Sequence, residues 1–274
     1  MKIATSEKFC LNKIINMKQM ISRSYGGVQL FYQLEDGVIG LDYYKDCLVQ
    51  QLPRVVKKLY QLQKRPLTVL DMATGHGYTA IILAKCYPGI VGKIVVYDIN
   101  PKAVALAREN AKLNNCEEKI DFREGSIYGP LKKNEKFDLI ISALPPIPIS
   151  TEELQGLPKD VQLHHWPTST GGVSGRDLID AMIKDAPEHL RLGGAILTVH
   201  ADFLSCESTL KKITSVGLEG MILGPLVPKK LRDTKLTTTR RLAIKKLGYK
   251  FTLDSDRDEQ FFIAVFFGQK LGKI

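Results

Sequence analysis

Through the middle of the chain, short apolar runs alternate with stretches whose apolar residues recur every three or four positions. The runs TVLDM, KIVVYDI, KIDFREG, FDLIISA and GAILTVHA read as strands, and the helices between them are expected to begin near Tyr78, Pro101 and Ser174. Repeated β-α order with right-handed crossovers predicts an α/β fold. It would be a doubly wound, mostly parallel sheet covered on both faces, with its ligand crevice at the carboxyl ends of the strands. Gly217 to Pro225 reads as a sixth strand, and EQFFIAVFFGQ as the closing one. Ahead of the alternating zone, the pattern predicts an amphipathic helix around Lys8 to Met20, an apolar and aromatic segment GVQLFYQL and a turn at Glu35-Asp36-Gly37. A second helix is expected around Tyr43 to Gln63. The expected organisation is a leader or cap over residues 1–65 and a ligand-binding domain over 66–274, with a basic insertion near 227–250.

The densest chemistry lies where the first of these strands ends. In TVLDMATGHGYTAIILAKCY, Thr68 to Tyr87, a buried strand runs into a turn holding Gly75 and Gly77, and a helix starts near Tyr78. Residues without Cβ turn tightly and let a ligand lie against the backbone. The following strand ends in Asp98, 27 positions after Asp71, about where ribose-binding carboxylates lie in nucleotide-binding α/β folds. A carboxylate accepts hydrogen bonds from both hydroxyls of an unphosphorylated ribose and repels a 2′-phosphate. The dinucleotide fingerprint G-x-G-x-x-G is not met, because its third glycine is missing.

With Asp71 leading D-M-A-T-G-H-G and Asp98 ending the next strand, the chain resembles the class I S-adenosylmethionine-dependent methyltransferases, which are Rossmann-like. The resemblance implies the cofactor S-adenosyl-L-methionine. Asp71, Ala73, Gly75 and Gly77, with Tyr78 opening the helix, would carry its methionine part. Asp98 and Ile99 would hold the ribose, Ser126 would meet the adenine amine, and Ala143 would border the cofactor. Ala73 stands where the family most often has a glycine, and Ser126 where it commonly has an acid. The family also closes its sheet with an antiparallel hairpin, which EQFFIAVFFGQ would complete. The turn EDGVIGLDYY, Glu35 to Tyr44, and the stretch Gly171 to Phe203 extend the resemblance to a small-domain group that includes the release-factor glutamine methyltransferases.

In that group, N-P-P-[YF] follows the fourth strand. The asparagine and a proline carbonyl orient the acceptor nitrogen, and the aromatic ring stacks on it. Here the tetrapeptide is L-P-P-I, Leu144 to Ile147. Pro145 and Pro146 fix φ and lack N–H donors, so the strand leaves the sheet through a rigid lip suited to acceptor positioning. Leu144, Pro145 and Pro146 are the expected catalytic positions, acting through backbone carbonyls, and Ile147 the expected acceptor contact. Leucine has no amide to receive a nitrogen's proton, so the departure leaves the acceptor open. A nitrogen of a protein or RNA stands first, with a small molecule methylated on nitrogen or oxygen, or a non-catalytic cofactor-binding module, as alternatives. His164 and His165 are candidate bases, and Trp166 is a candidate stacking surface. His76 reads as loop-shaping, and His200 and Asp202 as a second set lining the crevice.

Charge and composition add partners and exclusions. The net charge is +10, and nine Lys or Arg between Lys229 and Lys250 face one acid, Asp233, within that stretch. On a helix, Arg240, Arg241, Lys245 and Lys246 would make a phosphate-binding face, with Arg240 and Arg241 as candidate substrate contacts. Five scattered cysteines without a C-x-x-C pair indicate neither a disulfide framework nor a zinc site, and no metal is expected. No apolar run approaches the roughly 18 residues of a membrane span, and the N-terminus lacks a secretory h-region. The expectation is a cytoplasmic protein with no membrane partner. The oligomeric state is left open.

Overall fold

The computed structural model describes residues 19–38, 42–156, 170–234, 236 and 238–272. Most of the expected helix at Lys8 to Met20 lies outside them, as do His164, His165 and Trp166. The end of that span is not helical: Gln19 and Met20 open strand β1, Gln19–Tyr25, which pairs antiparallel with β2, Val28–Leu34. Gly26 and Gly27 form the two-residue turn, both at positive φ (55° and 81°), the conformation that matches the twist of the flanking strands. The helix expected from Tyr43 to Gln63 is two: α1, Tyr43–Val49, and α2, Leu52–Gln63. Pro53 causes the break, because it has no N–H to continue the ladder and is tolerated only in a first turn.

The central sheet is built from β3 (Leu67–Met72), β4 (Val91–Asp98), β5 (Ile120–Glu124), β6 (Phe137–Ser142), β7 (Leu190–Ala201), β8 (Glu219–Lys230) and β10 (Glu259–Gln269), in the order β5-β4-β3-β6-β7-β10-β8. A two-residue β9, Thr252–Leu253, pairs at the end of β10. The first five strands of that order run parallel, and β10 is antiparallel to both β7 and β8. Helices α3 (Tyr78–Cys86) and α4 (Pro101–Leu113) make the crossovers on one side of β3. The short α5 (Thr151–Gln155) and α6 (Asp177–His189) link β6 to β7, α7 (Cys206–Ser215) leads to β8, and α8 (Thr238–Lys246) to β10. β8 runs to Lys230, past the expected end at Pro225, so the front of the expected basic insertion is sheet.

Every residue of β6 is buried, as its apolar sequence requires of a strand covered on both faces. The chain winds from β3 outward to β5, then returns to β6 on the other side of β3. The strand order therefore reverses between β3 and β6, where open α/β sheets leave a crevice. At the opposite ends of these strands, the fully buried Asp138 carboxylate accepts from the Arg65 guanidinium (2.7 and 2.9 Å), the Thr68 backbone N–H (2.8 Å) and Arg191 (3.2 Å). Its charge is thus paired inside the fold.

The hairpin docks on α4 by polar means. Asn110 accepts from Gln33 N–H (2.7 Å) and donates to Gln33 O (3.0 Å), while Asn114 accepts from Phe31 N–H (3.0 Å) and donates to Phe31 O (2.6 Å). Side chains four apart on a helix thus pair with alternate residues of β2 and satisfy an edge that would otherwise bury bare backbone groups. Leu30 and Tyr32 of β2 belong to the same core as the sheet.

Candidate active site

At the carboxyl ends of β3, β4 and β6 the fold forms an open-mouthed cavity of about 830 Å³. Asp98, the last residue of β4, lines it. One carboxylate oxygen accepts from Gly75 N–H (2.9 Å) and the other from Asn100 N–H (3.0 Å), so the strand tip is tied to the glycine turn. Burial pushes the Asp98 carboxyl above its usual range, and these N–H donors work against that rise. Ala73 also lines the cavity at φ 53°, a left-handed conformation that costs a residue with Cβ about 1 kcal/mol. Glycine would avoid this strain, and alanine carries the smallest side chain that can bear it.

Of the residues expected to hold the cofactor, Ala73, Gly75, Asp98, Ile99, Ser126 and Ala143 line the cavity, whereas Asp71, Gly77 and Tyr78 do not. Asp71 is buried beneath the turn, where it accepts from the Thr74 hydroxyl (2.7 Å). Desolvation pushes its carboxyl up to about 6, opposed by Lys45 and Thr74. Gly77 caps α3 at φ 86°, and a Cβ there would come within 3.2 Å of Ala107, so this glycine serves the turn and the packing of α3 on α4. Tyr78 packs in a buried cluster with Tyr32 and His76, its ring 5.9 Å from the His76 ring.

Leu144, Pro145, Pro146 and Ile147 form the opposite wall. This lip is held from behind: Gly171 N–H donates to Ile147 O (2.9 Å), and Ile149 N–H to Gly172 O (3.2 Å). A Cβ on Gly171 would lie 2.7 Å from Pro145 O, and one on Gly175 2.9 Å from Pro146 O. The two proline carbonyls therefore lie against this glycine turn.

His200 and Asp202 do not line the cavity. The His200 ring is fully buried between Ala201 O (2.8 Å) and the Thr209 hydroxyl (2.7 Å), stacked on Phe266, and burial lowers its pKa to about 4. Asp202 accepts from the Tyr249 hydroxyl (2.8 Å) and from Phe262 N–H (2.9 Å), which ties β7 to the C-terminal strand. Arg240 reaches the cavity wall but pairs with Glu153 of α5 (3.2 Å), and Arg241 turns away to donate to Leu236 O (3.2 Å).

The turn Glu35 to Tyr44, singled out in the sequence for its resemblance to a leader turn over the cofactor, reaches the cavity, and the leader adds Lys45 and Asp46 just beyond it. Asp42, Tyr43, Tyr44, Lys45 and Asp46 line the cavity from the start of α1. Asp42 caps that helix by accepting from Lys45 N–H (2.8 Å), and burial pushes its carboxyl upward. For Lys45 and Asp46 the signal available was the acid-rich D-Y-Y-K-D at a helix start, which also fits an ordinary capped surface helix.

These features suit a nucleoside with a free ribose and a cationic group. Thr74 N–H is bonded to Tyr97 O (3.1 Å), Gly75 N–H to Asp98 and Gly77 N–H to Thr74 O (3.1 Å), so the turn keeps these donors for itself. Asp71 and Asp98 beside them would repel a pyrophosphate. S-Adenosylmethionine, with its free ribose hydroxyls and sulfonium, fits the residues present.

Fold and site together define a class I S-adenosylmethionine-dependent methyltransferase. Residues 63–223 match the methyltransferase domain family, and the chain belongs to it. It is 33% identical over 183 residues to the ribosomal protein uL3 glutamine methyltransferase of Bradyrhizobium diazoefficiens, an alignment covering 67% of this chain and 51% of that one. To the release factor glutamine methyltransferase of Geobacter sulfurreducens it is 32% identical over 144 residues, 52% of this chain and 48% of the other. The chain thus spans about half the length of these two relatives. A Methanocaldococcus jannaschii protein, provisionally named a protein N5-glutamine methyltransferase, is 34% identical over 151 residues, 55% of this chain and 70% of its own. Among solved structures, the T. thermophilus 16S rRNA N2 G1207 methyltransferase shares the fold with a TM-score of 0.58 at 16% identity, over 92% of this chain and 50% of that one. No helix among the described residues is long and apolar enough to cross a membrane.

Proposed function

We propose that this protein methylates a nitrogen of a protein acceptor. The observation that carries the reading is that one cavity joins the acid at Asp98 to the lip Leu144–Ile147, so that donor and acceptor would meet within a single cleft. The names of the relatives, which act on glutamine in ribosomal protein and release factor, support a protein side-chain nitrogen.

In this reading Asp98 holds the ribose, Gly75 and Ala73 underlie the methionine part, and Ser126 faces the adenine. The leader acts as a cap, since Leu34, Val38 and the start of α1 line the same cavity. When bound, the cofactor supplies an electrophilic methyl group on a sulfonium. The chain's contribution is positioning, which by itself lowers a bimolecular barrier by several kcal/mol. The proline oxygens lie against Gly171 and Gly175, and this reading assigns the Leu144 carbonyl, at the head of the lip, to accept from a proton-bearing nitrogen. Leu144, Pro145, Pro146 and Ile147 confine the acceptor around it. RNA is disfavoured because Arg240, the basic side chain of α8 that reaches the cavity, is committed to Glu153.

The test is transfer of a labelled methyl group from S-adenosylmethionine into an extract of cells lacking this protein. Label is expected in material that resists ribonuclease and is lost to protease, with mass spectrometry placing the methyl on nitrogen. Label that is released by ribonuclease, or that stays in the small-metabolite fraction, would overturn the proposal.

A further inference from the structure

Lys45 is a buried cation for which the glycine turn and the proline lip provide no obvious need. It is 4% exposed, is the third residue of α1 and lines the cavity. Its ammonium donates to Thr74 O at 2.8 Å and approaches Ala73 O at 3.5 Å, and both are uncharged carbonyls of the glycine turn. An ammonium taken out of water needs a counter-charge and further hydrogen bonds.

The charges around it are unequal. Asp42 and Asp98 line the same cavity and Asp71 lies buried beneath the glycine turn that Lys45 bonds, so the acids outnumber the ammonium at this end of the cavity, and its charge opposes the rise that burial gives each of their carboxyls. The methionine part of S-adenosylmethionine brings a sulfonium and an ammonium, which the acids suit, and a carboxylate, which they repel. The turn cannot receive that carboxylate through Thr74, Gly75 or Gly77, whose N–H groups are already bonded within the protein. Among the described residues, Lys45 and Arg240 are the cationic side chains lining the cavity, and Arg240 is paired with Glu153.

We propose that Lys45 binds the α-carboxylate of the cofactor through its ammonium while holding the glycine turn by its remaining N–H bonds. Lys45 thereby neutralises a contact that the neighbouring acids would otherwise oppose. It discriminates in favour of a cofactor that carries this carboxylate.

The experiment compares S-adenosylmethionine with decarboxylated S-adenosylmethionine, which keeps the adenosine, sulfonium and amine, by calorimetry on the full chain. The wild type should prefer the carboxylated ligand by roughly 10-fold or more, the scale of a charge-assisted hydrogen bond. In Lys45→Met the preference should fall to within about twofold, chiefly by weaker binding of S-adenosylmethionine, while Lys45→Arg keeps part of it. Equal weakening of both ligands in Lys45→Met would make Lys45 a clamp on the turn alone, and tighter binding of S-adenosylmethionine would make it a competitor of the cofactor. Either result overturns the proposal. Should Lys45→Met fail to fold, a wild type that binds both ligands equally overturns it as well. None of these outcomes depends on which acceptor is methylated.

Discussion

Asp71 and His200 are both buried, and burial moves their pKa values in opposite directions. Asp71 is pushed up from 3.8 to about 6, so the folded state holds its proton more tightly than the unfolded chain. Its contribution to stability is full below about pH 4 and is lost as pH rises to about 6. His200 is pushed down from 6.5 to about 4, so the folded state holds it neutral. Its contribution is full above about pH 6.5 and is lost as pH falls to about 4. Between pH 4 and 6 the two slopes therefore oppose each other. Replacing His200→Gln, which retains a polar group toward Thr209, should remove one of them. The stability of the wild type relative to the variant is expected to grow by up to about 3 kcal/mol between pH 4 and 6.5. Urea unfolding across that range measures it, and a difference that shrinks with rising pH would contradict a neutral buried imidazole.

At the scale of elements, the lip is shaped as much by what lies behind it as by its prolines. The Gly171–Gly175 turn seats the carbonyls of Pro145 and Pro146, and a Cβ on Gly171 would come within 2.2 Å of Gly175 O, a backbone atom with no room to yield. Gly171→Ala should displace the lip and leave the β4 tip alone. The expected result is a loss of methyl transfer of at least tenfold with S-adenosylmethionine affinity within about twofold, the pattern of an interaction that positions the acceptor. Parallel calorimetry and transfer assays separate the two. The leader elements are coupled to the other side of the site, since Asn110 bonds both Gln33 of the hairpin and His76 O of the glycine turn (2.9 Å).

At the scale of the whole molecule, the net charge of +10 is not concentrated where the linear sequence suggests. Lys230 sits among Asp254 (2.5 Å), Asp256 (2.9 Å) and Asp258 (3.2 Å), Arg232 pairs with Asp258 (2.8 Å) and Lys245 with Glu259 (2.8 Å). Lys229 lies over the Tyr43 ring, 4.8 Å from its centroid. With Arg240 on Glu153, four of the nine tail cations are thus paired with acids and contribute less to displacing counterions from a phosphate backbone. Anisotropy with a labelled single-stranded RNA should therefore give a log–log salt slope no steeper than about −3.5. A slope near −5 or steeper would return RNA to consideration.

Sequence alone determined the strands of the sheet, the glycine turn and the acid at Asp98. Apolar runs, the reach of a residue without Cβ and a carboxylate at a strand end are local properties, readable from neighbours along the chain. The break before α2 was also written in Pro53, but strong apolar periodicity on either side masked it. Tertiary structure decided which of the marked residues face the cavity. Asp71, Gly77 and Tyr78 support the turn from behind it, because a loop that tight has an inside as well as an outside. It also decided the fate of the charges. The acids that neutralise Lys230, Arg232 and Lys245 follow on a later strand and its preceding turn, and Lys45 enters the site from a helix preceding β3. Whether a charge is solvated, paired or aimed at a ligand depends on what the fold sets opposite it, and no local pattern encodes that.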